Sequence, residues 1–286
     1  MTIQALIDKQ NPDGGWPYVR GGSWTEPAVY AVMALLAAGE AGPAQKGIRW
    51  LFGLQRRDGG WAPRPSVEDS CWVTGLVALL GPEHLGEKRY IEAVGWLAGT
   101  AGKESSRTYR LRQWLLGFEP PAEQVFPGWP WLPGAAAWVG PTAIGVMALD
   151  KVPPRLASDH VRARVEAGRQ FLLMRMCRHG GWNYGPPRTL GVDANPYPET
   201  TGMALAALRG ADSRRLAPAI ECARRFLSSS HSADALNWLR LGLTAHGQLP
   251  PGYALPPEVA HRTVPETSLH LVLSAAEPRH SFFWLT

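Results

Sequence analysis

The chain has 286 residues, of which 45% are hydrophobic, and a formal charge of +5. No run of about 18 apolar residues occurs, which excludes a membrane-spanning helix, and the first residues lack the basic-then-apolar pattern of a secretory signal. Cys71, Cys177 and Cys222 are too far apart for a metal motif and odd in number, so reduced thiols in a cytoplasmic protein are expected. The basic residues form no clustered stripe, which argues against nucleic-acid binding. The mild positive charge favours an acidic ligand or peripheral contact with an anionic membrane.

In chain order, the first signal is Gln10-Asn11-Pro12-Asp13-Gly14-Gly15-Trp16. It recurs as Gln55-Arg56-Arg57-Asp58-Gly59-Gly60-Trp61, and in degraded form as Cys177-Arg178-His179-Gly180-Gly181-Trp182, where Cys177 is taken to replace the Gln. A turn repeated between helical segments marks a repeat architecture. After the first copy, residues 24–35 predict a helix that is apolar all round. Residues 138–149 repeat its Trp, Pro, Val, Met, Ala and Leu without a gap. Versions of the same helix start at Pro198 and Val264. Helices of this kind are buried on every side, and the Pro is tolerated at the first helical position.

Other segments alternate with these: Pro43–Gln55, Glu87–Leu97, Ser158–Met176 and Leu216–Leu227 carry an apolar stripe on one side and charge on the other. Buried and half-exposed helices in alternation predict two layers. At longer range Trp24 maps to Trp138, Trp61 to Trp182 and Trp114 to Trp238, which predicts an internal duplication. The halves are 1–120 and 121–250, with 251–286 as a closing segment of one 286-residue domain. The Gly128–Gly134 segment, rich in Trp and Pro, is expected to form a loop over one mouth.

The Gln-x-x-Asp-Gly-Gly-Trp turn followed by a buried Ala/Leu helix resembles the repeats of squalene–hopene cyclases and protein prenyltransferase β subunits. That resemblance implies an all-α fold, an α/α toroid of inner and outer helices around a central cavity, with a hydrophobic isoprenoid as substrate. It places Gln10, Trp16, Gln55 and Trp61 in structural roles. It also aligns Ser66-Val67-Glu68-Asp69-Ser70 with the cyclases' acidic motif. Glu68 then becomes the proton donor for cyclisation or isomerisation and Asp69 its partner, although Ser66 stands where the motif begins with Asp. Paired carboxyls can share one proton because adjacent negative charges repel. A helix cap explains the same residues.

Acids also open other inner helices, at Glu26, Glu199 and Glu266, where unpaired backbone N–H groups attract negative charge. Glu26 and Glu199, together with Tyr30, Trp72, Trp131, Trp138, Arg107 and Arg240, are the expected substrate-binding side chains. Tyr109, Tyr184 and Tyr197 could join them in lining the cavity. No cofactor is required by this reading. A zinc-dependent prenyl transferase is the weaker alternative, with Asp69 and Cys71 as ligands, but it lacks a His in the matching place and a zinc site needs at least three protein ligands. A toroid that binds a lipid, glycan or protein partner without catalysis is the remaining alternative.

Overall fold

The computed structural model describes residues 2–116, 126–275 and 282–284. In chain order the helices are α1 (Ile3–Ile7), α2 (Thr25–Ala37), α3 (Ala41–Phe52), α4 (Val73–Ala78), α5 (Pro82–Leu85), α6 (Glu87–Gly99), α7 (Arg107–Leu115), α8 (Val139–Asp150) and α9 (Asp159–Met174). A two-stranded hairpin, β1 (Arg188–Thr189) with β2 (Val192–Asp193), precedes α10 (Pro198–Ala207), α11 (Ser213–Ser229), α12 (Ala233–Ala245) and α13 (Val264–Ser274).

The repeated turn is built by hydrogen bonds that its sequence dictates. Asp13 accepts from the Gly15 N–H, the Ser23 hydroxyl and the Trp50 indole, and Asp58 does the same with Gly60, Ser70 and Trp96. Gly15 and Gly60 are required because a Cβ at either would stand 2.5 Å from a serine Cβ. The Gln10 and Gln55 amides reach the carbonyls of Pro43 in α3 and Arg89 in α6, tying each turn to the next outer helix. The Trp side chains are fully buried, and the indole N–H of Trp16, Trp61 and Trp182 each donates to the carbonyl ten residues earlier.

Two points differ from the sequence reading. Cys177 N donates to Gly181 O as Asn11 N does to Gly15 O, so Cys177 stands in place of Asn11 and Arg56. Met176 therefore replaces the Gln. The second point is a fourth turn, at Gly128-Trp129. Trp129 is buried and donates to Leu97 O, and its own carbonyl accepts from Trp138 N as Trp16 O accepts from Trp24 N. The segment read as a mouth loop thus contains a repeat turn. It was hidden because 31 residues separate Leu97 from Trp129, where the other turns have nine.

Helices α2, α4, α8, α10, α12 and α13 are buried along most of their length, whereas α3, α6, α9 and α11 bury one side. Alternation of layers follows the predicted patterning. The prolines of the inner helices fall at the first, second or third helical position, all within the turn whose N–H groups have no helical acceptor. Trp24 and Trp138 precede α2 and α8 with nearly the same extended backbone. Trp114 does not match Trp238: it is exposed on α7, while Trp238 is buried in α12.

The inner helices contact one another in succession: α2 with α4, α4 with α8, α8 with α10, α10 with α12, α12 with α13, and α13 again with α2. Each of four repeat turns also accepts a hydrogen bond two residues after its Trp. Thr25 N donates to Pro63 O, Trp72 N to Trp131 O, Val139 N to Tyr184 O and Val264 N to Tyr18 O. The last of these joins the end of the chain to its beginning.

Candidate functional site

The starts of α2, α10, α12 and α13 converge, and each brings an acid in its first turn: Glu26, Glu199, Asp234 and Glu266. All four are half-buried. Their placement follows from helix physics, since helix N-termini favour negative charge, but their convergence follows from the fold. Glu266 is engaged in a capping box: its carboxylate accepts from the N–H of Arg262 and Thr263, and the Thr263 hydroxyl accepts from its own N–H.

The other three are not spent on caps. Ser232 provides the side-chain cap of α12, which leaves Asp234 available. Burial pushes the Asp234 carboxyl up to about 7, and the charges of Glu26, Glu199 and Glu266 push in the same direction against a hydrogen bond from Trp238. Burial also raises Glu26, opposed by the hydrogen bond it accepts from the Tyr18 hydroxyl. Tyr184 donates to Glu199 in the same way. Both phenols are held protonated well above their ordinary range, by burial first and then by these carboxylates.

Aromatic rings stand at the starts of these and the neighbouring inner helices. Tyr18 packs on Trp24 with centroids 5.7 Å apart, and Tyr184 packs on Tyr197 at 5.2 Å. Trp72 meets Trp131 edge-on at 4.8 Å, and Trp131 approaches Gly140 at the start of α8. Trp138 is partly exposed beside Gly185. Beneath this rim, Tyr30 of α2 meets Trp238 of α12 at 6.5 Å, and Trp238 meets Phe283 at 6.3 Å. These three side chains are almost fully buried. The Tyr30–Trp238 contact thus joins α2 to α12 through aromatic side chains, beside the contacts each helix makes with α13.

Of the residues expected from sequence, Glu26, Glu199 and Tyr30 therefore come together. Glu68 and Asp69 do not join them. Both are exposed on the loop before α4, which starts only at Val73, so neither has the apolar enclosure that alkene protonation demands. Asp69 is exposed while Cys71 is buried, and among the described residues no three His, Cys, Asp or Glu side chains come together as metal ligands. Arg240 turns toward the C-terminal end of α13, donating to Ser274 Oγ and Leu273 O, both at 3.2 Å. The Arg107 side chain lies outside the described residues.

Sequence reasoning missed Asp234 and Tyr18. No Gly-Gly-Trp turn precedes α12, so only Ser232 followed by an acid in the first turn marked its start. Tyr18 is two residues after Trp16, a position whose importance appears only when that carbonyl closes onto Val264.

No protein-family model matches the chain. A stretch of 75 residues is 31% identical to a terpene cyclase–glycosyl transferase fusion protein of Humicola fuscoatra, covering 24% of this chain and 6% of that protein. Another of 62 residues is 42% identical to an MMP endo-(1,4)-3-O-methyl-alpha-D-mannosidase of Mycolicibacterium hassiacum, covering 21% and 17%. The matched stretches thus span less than a fifth of either relative. Among solved structures, a reducing-end-xylose releasing exo-oligoxylanase complexed with xylose superposes with a TM-score of 0.59 at 10% identity, covering 99% of this chain and 93% of that one. The type II terpene cyclase MstE from Scytonema, in complex with geranylgeranyl dihydroxybenzoate, superposes with a TM-score of 0.54 at 14% identity, covering 99% and 79%. The chain shares the helical fold of these α/α-toroid proteins.

Proposed function

We propose that the chain closes into an α/α toroid whose acidic mouth performs acid–base chemistry on a hydroxyl-rich, glycoside-type substrate. Asp234 is the proton donor and Glu26 the partner carboxylate. The observation that carries this reading is the meeting of first-turn acids from separate inner helices, Glu26, Glu199 and Asp234, where burial and the neighbouring carboxylates push Asp234 up to about 7. The charge on Glu26 is one cause of the Asp234 shift, and burial raises Glu26 itself. In this reading Asp234 carries the proton and Glu26 supplies the second carboxylate. Cleavage of a glycosidic bond needs this pair: one carboxylic acid to protonate the leaving oxygen and one carboxylate to activate water or face the developing cation.

The surroundings support a polar substrate. The mouth is half-open, tyrosine hydroxyls sit on two of its acids, and aromatic rings offer faces for sugar rings. Among the described residues Tyr30, Trp238 and Phe283 pack together as buried aromatic side chains, which favours a substrate bound at the rim over a long hydrocarbon held deep inside. A sugar-bound exo-oligoxylanase has the same fold, and one short stretch resembles a mannosidase.

A second reading is proton-initiated chemistry on an isoprenoid, with Asp234 in place of Glu68 as the acid. The aromatic floor directly under Asp234 favours it, since ring faces stabilise a cation, and an isoprenoid-bound type II terpene cyclase shares the fold. This reading requires the floor to move aside.

The test is to incubate wild type and Asp234→Asn with oligosaccharides of varied linkage and, in parallel, with squalene and with farnesyl and geranylgeranyl diphosphates. Sugar release that falls by about 10²–10⁴-fold in the variant is the expected result. Activity should also decline as pH rises through about 7, where the donor loses its proton. A cyclised product lost in the variant selects the second reading. No product from either class, with both proteins folded, overturns the acid–base reading and leaves a toroid that only binds.

A further inference from the structure

Helix α7 is out of character with the rest of the fold. It packs on the short 3-10 turn Lys103–Ser105, and every described residue of it except Tyr109 is exposed. Leu111, Trp114 and Leu115 are each more than half exposed, as is Leu116 just beyond. At about 100° per residue, Leu111, Trp114 and Leu115 share one face. Arg110 and Arg112 flank that face on either side, and the helix contains no acid. Tyr109 falls on the opposite face, half-buried, and lines a cleft of about 610 Å³ together with Trp138, Arg188 and Leu190. Leu190, at the tip of the β1–β2 hairpin, is 98% exposed and Val192 69%. Helix α7 thus lines this cleft through Tyr109 and turns its apolar, arginine-edged face the other way.

We propose that α7 forms an interfacial anchor for an anionic phospholipid surface. An apolar face edged by arginines is the pattern that lies in the headgroup region, with Trp and Leu in the acyl boundary and guanidinium groups at the phosphates. The charges select this occupant over a second copy of the chain: pairing two such faces would bring Arg110 and Arg112 of one copy against those of the other. The anchor stands independently of the chemistry assigned to Asp234.

The experiment uses the full chain with sedimented vesicles of phosphatidylcholine alone or mixed with phosphatidylglycerol, at low and high salt. Wild type should sediment with the anionic vesicles and be released by salt. The double variant Arg110→Glu/Arg112→Glu should bind at least about 30-fold more weakly, since each basic residue near such a surface contributes about 1 kcal/mol. The triple variant Leu111→Ser/Trp114→Ser/Leu115→Ser should not bind. Both variants should keep the wild-type circular dichroism and melting curve, because the altered side chains lie outside the core. Binding that ignores lipid charge, binding that survives both variants, or no binding at low salt overturns the proposal. So does a wild-type dimer that the triple variant dissociates, or a variant that fails to fold, since either means that α7 already has a protein partner.

Discussion

Asp58 holds three donors with one carboxylate: the Gly60 N–H, the Ser70 hydroxyl and the Trp96 indole. Hydrogen bonds to a charged acceptor are worth more than neutral ones, but this carboxylate is exposed and partly solvated. Asp58→Ala should therefore cost about 1–3 kcal/mol, read as a lower urea midpoint with an unchanged slope. Combined with Trp96→Phe, the loss should be smaller than the sum of the two single losses, because the indole bond is counted in both. Additive losses would mean that the turn does not depend on this network. Asp234 makes the opposite prediction. Its folded form holds a proton up to about pH 7, whereas the unfolded carboxyl releases it near 3.8. Between those values the unfolded state binds fewer protons, so this residue's contribution to stability falls as pH rises. Asp234→Asn should match wild type in stability near pH 4 and exceed it by roughly 1–3 kcal/mol at pH 8. Equal stability at both values would show that Asp234 carries no such burden. The residues of the first two turns were legible in the sequence because both copies repeat the same local bonds. Asp234 was not, because what distinguishes it is the company of Glu26 and Glu199, which are far away along the chain.

At the scale of elements, most of the alternation between buried and half-exposed helices could be read from periodicity, since burial on one side or on all sides leaves different patterns. The closeness of α10 and α12 could not. Gly202 and Gly242 face each other at their crossing, where a Cβ on Gly202 would stand 2.3 Å from the Trp238 carbonyl carbon and one on Gly242 would stand 2.5 Å from the Gly202 oxygen. These obstacles are backbone and cannot rotate away. Gly202→Ala should destabilise by at least about 3 kcal/mol, at the upper end for overpacking, despite the better helix propensity of Ala. The solvent-facing Gly95 of α6 is the control, because nothing lies within 4 Å of its added Cβ. Gly95→Ala should be neutral or stabilising, by up to about 1 kcal/mol. A mild effect at Gly202 would mean that the two helices pack less closely than this. Helix α7 is the other misjudged element: the long-range repeat of Trp positions pairs Trp114 with Trp238, yet Trp114 is exposed and Trp238 is buried. An apolar stripe reports that a face wants cover, and not which molecule provides it.

For the whole molecule, the question is whether the repeats form a line or a ring. In a line, each repeat depends on its neighbours, and removing the last one exposes a single interface. In a ring, the last element is also the partner of the first. Here α13 packs on both α12 and α2, Val264 N donates to Tyr18 O, and Asn237 of α12 donates to Glu266 O at 3.0 Å. Removing residues 251–286 would therefore strip cover from α2 and α12 together. It would also leave Tyr18, the residue that holds Glu26, without the bond that fixes its backbone. The truncated chain should lose cooperative thermal unfolding and bind an apolar dye, with the loss of amide protection spreading to α2 at the far end of the sequence. A line would keep α2 protected and lose only α12. Hydrogen exchange resolved by peptide separates the two outcomes. The acidic mouth follows the same logic, because Glu26 can act on Asp234 only if the chain returns to its start. If exchange in α2 is untouched by the truncation, the closed ring fails, and with it the pairing of carboxylates on which the proposed chemistry depends.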